Sequence, residues 1–268
     1  MELTKKCTDI FQLLRARRPL IHHMTNLVVT NVAANATLAL GASPVMAYAR
    51  EEVAEMARVA GALVLNIGTL DLPQVENMIL AGRAANEAGV PVILDPVGAG
   101  ATTLRTDSAS RIMREVKISI VRGNASEISI IGGYGGRVKG VDAEAAPEDM
   151  ARVARELAGR LQATVAITGA VDYISDGSRV LAVENGHPLL TLVTGTGCMA
   201  TGTVAAFAAV ESDHLLASAA ALGCYGLAAE QAAASAGGPG TFQALLFDSI
   251  YNMTLEILEQ GLRIKQVQ

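Results

Sequence analysis

The segment Thr194-Gly195-Thr196-Gly197-Cys198 is the strongest local signal for chemistry, because two glycines bracket a threonine just before a helix-forming stretch. A glycine-rich loop that leads into a helix presents free backbone N–H groups and the positive end of the helix dipole, and both favour phosphate oxygens. The segment has neither the Gly-Lys-Ser/Thr of a P-loop nor the spacing of the dinucleotide fingerprint. Taken alone, it predicts a phosphate site of unspecified purpose.

Cys198 stands at the start of the helix that follows this turn. The helix dipole favours the thiolate and is expected to lower the pKa of this thiol, whereas neighbouring phosphates would raise it again. A buried, inert cysteine that packs like a small apolar residue is an equally good interpretation of the position. The residue pattern leaves both interpretations open.

Polar or glycine-rich residues also close three apolar runs that are typical of buried strands. Residues 95–100 follow the run 90–95, residues 122–124 the run 118–122, and residues 168–169 the run 164–168. Ligands of open α/β sheets bind at the carboxyl ends of the strands. Glycine and proline also simply make turns, which is the plainer interpretation of any one loop, but their joint occurrence at strand ends favours a binding site.

The elements that would position these residues alternate in the manner of βαβ units, which predicts an α/β fold with a mostly parallel sheet. The predicted strands are 62–68, 90–95, 118–122 and 164–168, and the predicted helices are 72–89 and 147–161. Residues 173–175 and 179–183 flank Asp176-Gly177-Ser178, so the sheet is expected to end in antiparallel strands. Small apolar residues from 198 to 236 predict tightly packed helices. No linker interrupts the 268 residues, so we expect a single domain over 1–268.

The composition excludes several classes of protein. With 51% hydrophobic and 18% charged residues, against the usual about 25% charged, the chain is expected to bury apolar surface between subunits of a homo-oligomer. A net charge of −5 predicts no nucleic-acid binding. No apolar run reaches the roughly 18 residues of a membrane span, and the first residues lack the apolar core of a signal peptide. Three cysteines without metal-like spacing favour a cytoplasmic protein.

Six segments carry a resemblance to a known family: IHHMTN at 21–26, GASPVM at 41–46, LNIGTL at 65–70, DPVGAGAT at 95–102, RGN at 122–124 and TGTGC at 194–198. With these in this order, the chain resembles the hydroxyethylthiazole kinases of thiamine salvage, which are ribokinase-like kinases, over nearly its whole length. The resemblance implies a central, mostly parallel sheet with helices on both faces. It also implies a homotrimer with active sites near the subunit interfaces.

The implied reaction transfers a phosphoryl group from ATP to 5-(2-hydroxyethyl)-4-methylthiazole, with Mg²⁺ as cofactor. The resemblance assigns the thiazole to Asn26, Val28, Met46 and Gly195, and ATP to Arg122 and Thr168. The N–H groups of Gly195, Thr196, Gly197 and Cys198 would form the anion hole for the migrating phosphoryl group.

The resemblance also implies acidic and catalytic roles. Asn124 to Glu127 matches the Asn-x-x-Glu motif in which the glutamate helps to organise magnesium and phosphate, and Asp95 is a second acidic group near the metal. Cys198 occupies the position of the catalytic aspartate in most ribokinase-like enzymes, although a cysteine is usual among thiazole kinases. It would lie beside the substrate hydroxyl as a modest base or as a positioning group, because phosphoryl transfer depends more on positioning than on nucleophile activation.

Plainer interpretations stay open for individual residues. Met46 fits core filling as well as contact with a flat heterocycle, and Glu127 fits an ordinary helix N-terminus. His22 and His23 are expected to shape the loop before Asn26 rather than to act as acid–base groups. The alternative functions are a ribokinase-like kinase for another small alcohol, such as a pyrimidine or a pyridoxine-type precursor, and a non-catalytic ligand-binding protein that kept the fold.

Overall fold

The computed structural model describes residues 2–134 and 149–267, which build one nine-stranded sheet. In chain order the strands are β1 (Leu20–Met24), β2 (Ser43–Val45), β3 (Ala62–Asn66), β4 (Val92–Asp95), β5 (Ile120–Asn124), β6 (Thr164–Thr168), β7 (Asp172–Ser175), β8 (Val180–Val183) and β9 (Ile264–Val267). The spatial order is β2-β1-β3-β4-β5-β6-β7-β8-β9. Strands β1 to β6 run parallel, and the pairings from β6 to β9 are antiparallel.

Helices cover both faces of this sheet. They are α1 (Glu2–Arg17), α2 (Thr30–Leu40), α3 (Val53–Val59), α4 (Leu72–Glu87), α5 (Thr103–Glu115), α6 (Ala125–Gly132), α7 (Met150–Leu161), α8 (Thr196–Ala208), α9 (His214–Ser235), α10 (Pro239–Tyr251) and α11 (Leu255–Gly261), with a 3₁₀ turn at Pro188–Leu192. Among the described residues, no helix is both long and apolar enough to cross a membrane. The predicted α/β class, with a mostly parallel sheet between two helical layers, is confirmed.

The alternation of side chains along the strands divides the interior into two cores. Val64, Ile93 and Ile120 point into a core shared with α1, α2, α8, α9 and α10. Leu65 and Leu94, each one residue further along, point into the opposite core with α3 to α7. Because both faces of the sheet are covered, the parallel strands are apolar along most of their length.

The same alternation decides where the polar residues at the carboxyl ends of the strands point. Asn66, Asp95, Arg122 and Thr168 each lie two residues beyond an apolar side chain of the α8-side core, at 64, 93, 120 and 166. Side chains two apart share one face of a strand. These four polar groups therefore face α8, and the amino end of that helix closes over them.

The chain reverses direction across the sheet between β1 and β3. After β1 it passes through α2 to β2 at the edge, and then through α3 back to β3 on the other side of β1. The carboxyl ends of β1 and β3 thus border the topological switch point, where open α/β sheets form their binding crevice.

Most predicted elements are confirmed with shifted bounds. The strand over 164–168 and the hairpin strands within 173–183 agree with β6, β7 and β8, and the helix predicted over 72–89 ends at Glu87. The helix predicted over 147–161 is α7 from Met150, while residues 147 and 148 lie outside the described residues. The third strand extends through Asn124, so Arg122 lies within β5 rather than at its end. Gly123 and Asn124 continue the pairing with β6 and lengthen the strand.

Close packing requires a glycine at position 226, in the middle of α9. A Cβ there would meet the backbone carbonyl of Asn185 closer than non-bonded atoms can approach. We expect Gly226→Ala to lower the free energy of unfolding by about 2–3 kcal/mol, as overpacking does. The matched control is Gly159→Ala in α7, where an added Cβ meets nothing within 4 Å. It should raise the free energy of unfolding by about 0.5–1 kcal/mol through the unfolded state. Urea denaturation measures both values, and a change of the unfolding free energy in the same direction in both variants would contradict this packing.

Candidate active site

The turn before α8 is tied down while its N–H groups stay open. Gly195 is the N-cap in the left-handed region, with φ +87°, and a Cβ on it would lie 2.8 Å from Val29 Cγ1. Thr196 Oγ1 lies 2.7 Å from the carbonyl oxygen of Leu190 and 3.1 Å from that of Val193. No side chain of the described residues caps the helix at Gly195. The amides of the first turn are therefore free for an anion.

Arg122 faces this turn from the centre of β5. Its side chain is buried, its Nη2 donates to Thr168 Oγ1 at 2.6 Å, and its Nε has no partner among the described residues. Within residues 2–134 and 149–267, it belongs to no salt bridge. A Cβ on Gly197 would lie only 3.0 Å from Arg122 Nη1, so glycine lets the guanidinium approach the helix end. Two positive groups thus converge where phosphate oxygens would bind.

Cys198 contacts a cluster of polar side chains. Asn26 Nδ2 and Asn66 Nδ2 lie 3.4 and 3.2 Å from Cys198 Sγ and donate to it. Asn26 Nδ2 also donates to Asn66 Oδ1 at 3.0 Å, and the Gly68 N–H donates to the same oxygen at 3.0 Å. These bonds orient both amides and hold the sulfur between the ends of β1 and β3.

The thiol of Cys198 is neutral, contrary to the expectation from its place at a helix start. Burial raises the pKa of Cys198 to about 11, with a further rise from the charge of Asp95. The amides of Asn66 and Asn26 and the charge of Arg122 lower the thiol pKa, but they do not outweigh burial. The predicted lowering of the Cys198 pKa is wrong, because the helix dipole stabilises the thiolate less than the loss of hydration on burial destabilises it.

Two carboxylates, Asp95 and Glu127, lie close to each other at this end of the sheet. Asp95 Oδ2 accepts from Asn66 Nδ2 at 2.7 Å and lies 2.8 Å from Thr201 Oγ1. Asp95 Oδ1 is buried and has no partner in the described part of the chain. Burial raises the pKa of Asp95, the nearby Arg122 opposes the rise, and Glu127 adds to it. An unpartnered carboxylate oxygen beside a second carboxylate fits a hard divalent cation that prefers oxygen ligands.

Glu127 is also held by the backbone. It forms a capping box with Asn124 at the start of α6, with both hydrogen bonds at 2.9 Å. Its Oε1 accepts from the Gly98 N–H at 2.8 Å and so ties down the loop after Asp95. Each oxygen keeps acceptor capacity beyond these bonds. Across residues 2–134 and 149–267 no group of three or more His, Cys, Asp or Glu side chains could hold a metal. Mg²⁺ does not require one, because it usually keeps several waters.

Two positioning residues have no predicted role in the sequence interpretation. Asn66 bridges Asp95 and Cys198, and its signal is a polar residue that closes the apolar run of β3. Arg105 donates to the carbonyl oxygens of Ile67, Val97 and Gly68 at 3.1, 2.8 and 2.8 Å, clamping the loops after β3 and β4 together. No sequence pattern separates Arg105 from an ordinary helix-surface arginine.

Other predicted residues lie outside the central cluster. Val28 is 66% exposed, and Met46 is half-buried just after β2, at the same edge of the sheet as Asn26. The histidines are buried and bonded within the fold: His22 Nε2 lies 2.9 Å from the Ala47 carbonyl oxygen, and His23 Nε2 lies 3.1 Å from Thr37 Oγ1. Burial lowers the pKa of His22 and lowers that of His23 to about 4. Both are neutral at physiological pH.

A groove of about 830 Å³ lies at the other end of the sheet. It is lined by the segments that precede β3 to β6, together with residues around the end of α8. None of the predicted site residues borders it. The chemistry therefore concentrates at the carboxyl ends of the strands.

Comparisons with known proteins agree on one family. The model of the hydroxyethylthiazole kinase family matches residues 11–256. A curated hydroxyethylthiazole kinase from Moorella thermoacetica is 61% identical over 254 residues, which cover 95% of each chain. A solved structure of a hydroxyethylthiazole kinase protein from Pyrococcus horikoshii is 44% identical, with a TM-score of 0.92, over 98% of this chain and 100% of that one.

A more distant structure shows the fold alone. A ribokinase-like superfamily protein from Enterococcus faecalis superposes with a TM-score of 0.65 at 13% identity, over 86% of each chain. The ribokinase-like fold expected from the sequence is confirmed.

The neutral thiol predicts slow alkylation of Cys198. With a pKa of about 11, its reaction with iodoacetamide at pH 7.5 should be roughly 100-fold or more slower than that of a free cysteine peptide, and should rise about tenfold per pH unit up to pH 9.5. Asp95→Asn removes a charge that raises this pKa and should speed the reaction. Mass spectrometry without nucleotide or divalent cation measures both rates, and Cys198→Ser corrects for Cys7 and Cys224. A rate that levels off by pH 8 would show that the thiol ionises normally.

Proposed function

The chain belongs to the hydroxyethylthiazole kinase family, and from this we propose that it transfers the γ-phosphoryl group of ATP to the hydroxyl of 5-(2-hydroxyethyl)-4-methylthiazole, a step of thiamine biosynthesis. The observation that carries the proposal is the convergence of the buried, unpaired Arg122 with the open first turn of α8, beside Cys198. This arrangement suits a phosphoryl group that moves between two oxygens.

The phosphate side of the proposed site consists of Arg122, Thr168 and the turn at 195–198. Arg122 would donate to ATP phosphate oxygens through the guanidinium N–H groups that its bond to Thr168 leaves free. The first-turn N–H groups of α8 would bind the migrating phosphoryl group. They are fixed before the reaction, so they stabilise developing charge without reorganisation.

The alcohol side of the proposed site consists of Asn26, Val28, Met46 and Gly195. Asn26 is held against Asn66 and Cys198, so it would present a fixed edge to the thiazole. Gly195 lies against Val29 of the same segment, which brings the anion turn next to the alcohol side. Met46 would contact the ring through its polarizable thioether.

Asp95 and Glu127 would hold Mg²⁺, which neutralises charge on the phosphate oxygens when it is bound. The unpartnered Oδ1 of Asp95 supports this assignment, as does the influence of Glu127 on the Asp95 pKa. Asn66 and Thr201 keep the other Asp95 oxygen in place, so Oδ1 has a fixed direction.

Cys198 would place the substrate hydroxyl and would not act as a strong base. Its raised pKa keeps the proton on sulfur, and the two asparagine amides donate to that sulfur, which leaves the S–H free to meet an oxygen. A loose transition state needs little help from a base, because the bond to the attacking oxygen has hardly formed and the hydroxyl keeps its proton.

The proposal extends to assembly and location. The kinase would be a single domain over 1–268 that forms a cytoplasmic homotrimer with its active sites near the subunit interfaces. Leu27 and Val28 support this assembly, since both are largely exposed, at 75% and 66%, immediately after Asn26. All three cysteines are free, in agreement with a reducing compartment.

The reaction is tested by ADP release and product mass with purified protein, ATP, Mg²⁺ and the thiazole alcohol. We expect the thiazole phosphate to form and EDTA to stop its formation. Pyridoxine-type and pyrimidine alcohols serve as the comparison panel, and close thiazole analogues should react because the ring carries little charge to recognise. If kcat/KM is higher for a pyridoxine-type or pyrimidine alcohol than for the thiazole alcohol, that alcohol is the better substrate and the proposed substrate is wrong. Absence of turnover with every alcohol would favour a binding protein.

The positioning role of Cys198 predicts a partial loss of turnover. Cys198→Ala should lower kcat by roughly 10-fold, below the range typical of a lost general base, and Cys198→Asp should keep measurable activity. Cys224→Ala is the matched control, because Cys224 is also a reduced cysteine but is buried in α9. Steady-state kinetics at saturating ATP measures all three variants. An unchanged kcat in Cys198→Ala would remove this residue from the mechanism.

A further inference from the structure

We propose that Tyr225 is a positioning residue for phosphoryl transfer, acting through the peptide group that joins Thr196 to Gly197. The inference rests on the proposed function, since it concerns the same anion turn. Tyr225 lies in α9 and is 4% exposed, and its hydroxyl donates to the carbonyl oxygen of Thr196 at 3.0 Å. It thus reaches the turn from the helix behind it.

The Thr196 carbonyl and the Gly197 N–H belong to one peptide plane. The carbonyl points into α8, toward Tyr225, while the N–H points out of the amino end of the helix, toward the proposed phosphate site. A hydrogen bond to the carbonyl oxygen fixes the rotation of this plane. It also polarises the amide, so that the N–H becomes a stronger donor, as hydrogen bonds in a chain strengthen one another.

Within this turn, the Thr196–Gly197 peptide plane is the part that side chains support least. The N-cap Gly195 offers no side chain, and among the described residues no side chain caps α8. The Thr196 hydroxyl bonds toward the 3₁₀ turn at Leu190, which leaves the Thr196–Gly197 plane to be set by the helix and by Tyr225. Gly197 also packs against Arg122, so a small rotation of this plane would change both positive groups at once.

The surroundings of Tyr225 keep its hydroxyl a donor. Burial raises the pKa of Tyr225 far above its usual value, and the charge of Arg122 only partly opposes this rise. The O–H is therefore intact throughout the working pH range. Neighbouring Gly226 packs against the backbone of Asn185, which holds α9 close to the segment that follows β8.

Tyr225→Phe tests the proposal, because it removes the hydroxyl and keeps the ring in the core. We expect kcat to fall roughly 3- to 10-fold and the Kd for a non-hydrolysable ATP analogue, measured by titration calorimetry, to rise by a similar factor, while KM for the thiazole alcohol is unchanged. Amide hydrogen exchange over residues 195–199 should become faster. The matched control is Ser218→Ala in the same helix, whose buried hydroxyl donates to the His214 carbonyl at 2.7 Å, away from the turn.

The outcomes separate this inference from the proposed function. If both variants lose thermal stability while Tyr225→Phe keeps the wild-type kcat and the wild-type affinity for the ATP analogue, Tyr225 is only a structural residue and the inference is overturned. A rise in the thiazole KM with unchanged affinity for the ATP analogue would overturn it as well. If the wild-type chain does not phosphorylate the thiazole alcohol, the proposed function fails, but affinity for the ATP analogue and hydrogen exchange still decide the role of Tyr225.

Discussion

The buried guanidinium of Arg122 is the constraint on which the site depends. It has lost much of its contact with water and forms no salt bridge among the described residues, yet it faces the positive end of α8 across Gly197. Burial of an unpaired charge beside a like-signed dipole is unfavourable unless an anion completes the arrangement. Asp95 offsets the charge of Arg122 only partially, because burial raises the pKa of Asp95 and so favours its neutral, protonated form. The folded chain is therefore complementary to a bound polyphosphate.

The alternation of side chains along the parallel strands links the position of Arg122 to the whole fold. Asn66, Asp95, Arg122 and Thr168 face α8 because each continues a row of apolar side chains in the α8-side core. A slip of one residue in any of these strands would turn its apolar row out of that core and its polar end away from the site. The register that places these apolar rows in the α8-side core is thus also the register that aligns the site.

The sequence predicted elements with strong local patterns and missed what depends on distant neighbours. The strand ending at Thr168 and the hairpin around Gly177 follow from β-rich runs and turn residues, whereas three-residue β2 is too short to stand out. The closeness of Arg122 and Thr168 could be foreseen from strand ends in a parallel sheet. The thiol pKa of Cys198 could not, because its largest contributions are burial and Asp95, more than 100 residues away in the chain. Arg105 and Tyr225 bind backbone carbonyls, which have no signature in residue identity.

The hydrogen bond from Asn26 to Cys198 joins residues 172 positions apart. Contacts between residues so far apart in the chain form slowly, so the site is expected to form late in folding, after α8 has docked on the sheet. During synthesis, a nascent chain would emerge with β1 to β6 before it has α8, the helix that completes the proposed nucleotide site. Nucleotide would then bind only the finished fold and would shift the folding equilibrium toward it by mass action. Cellular ATP would in this way act as a late stabiliser of newly made protein.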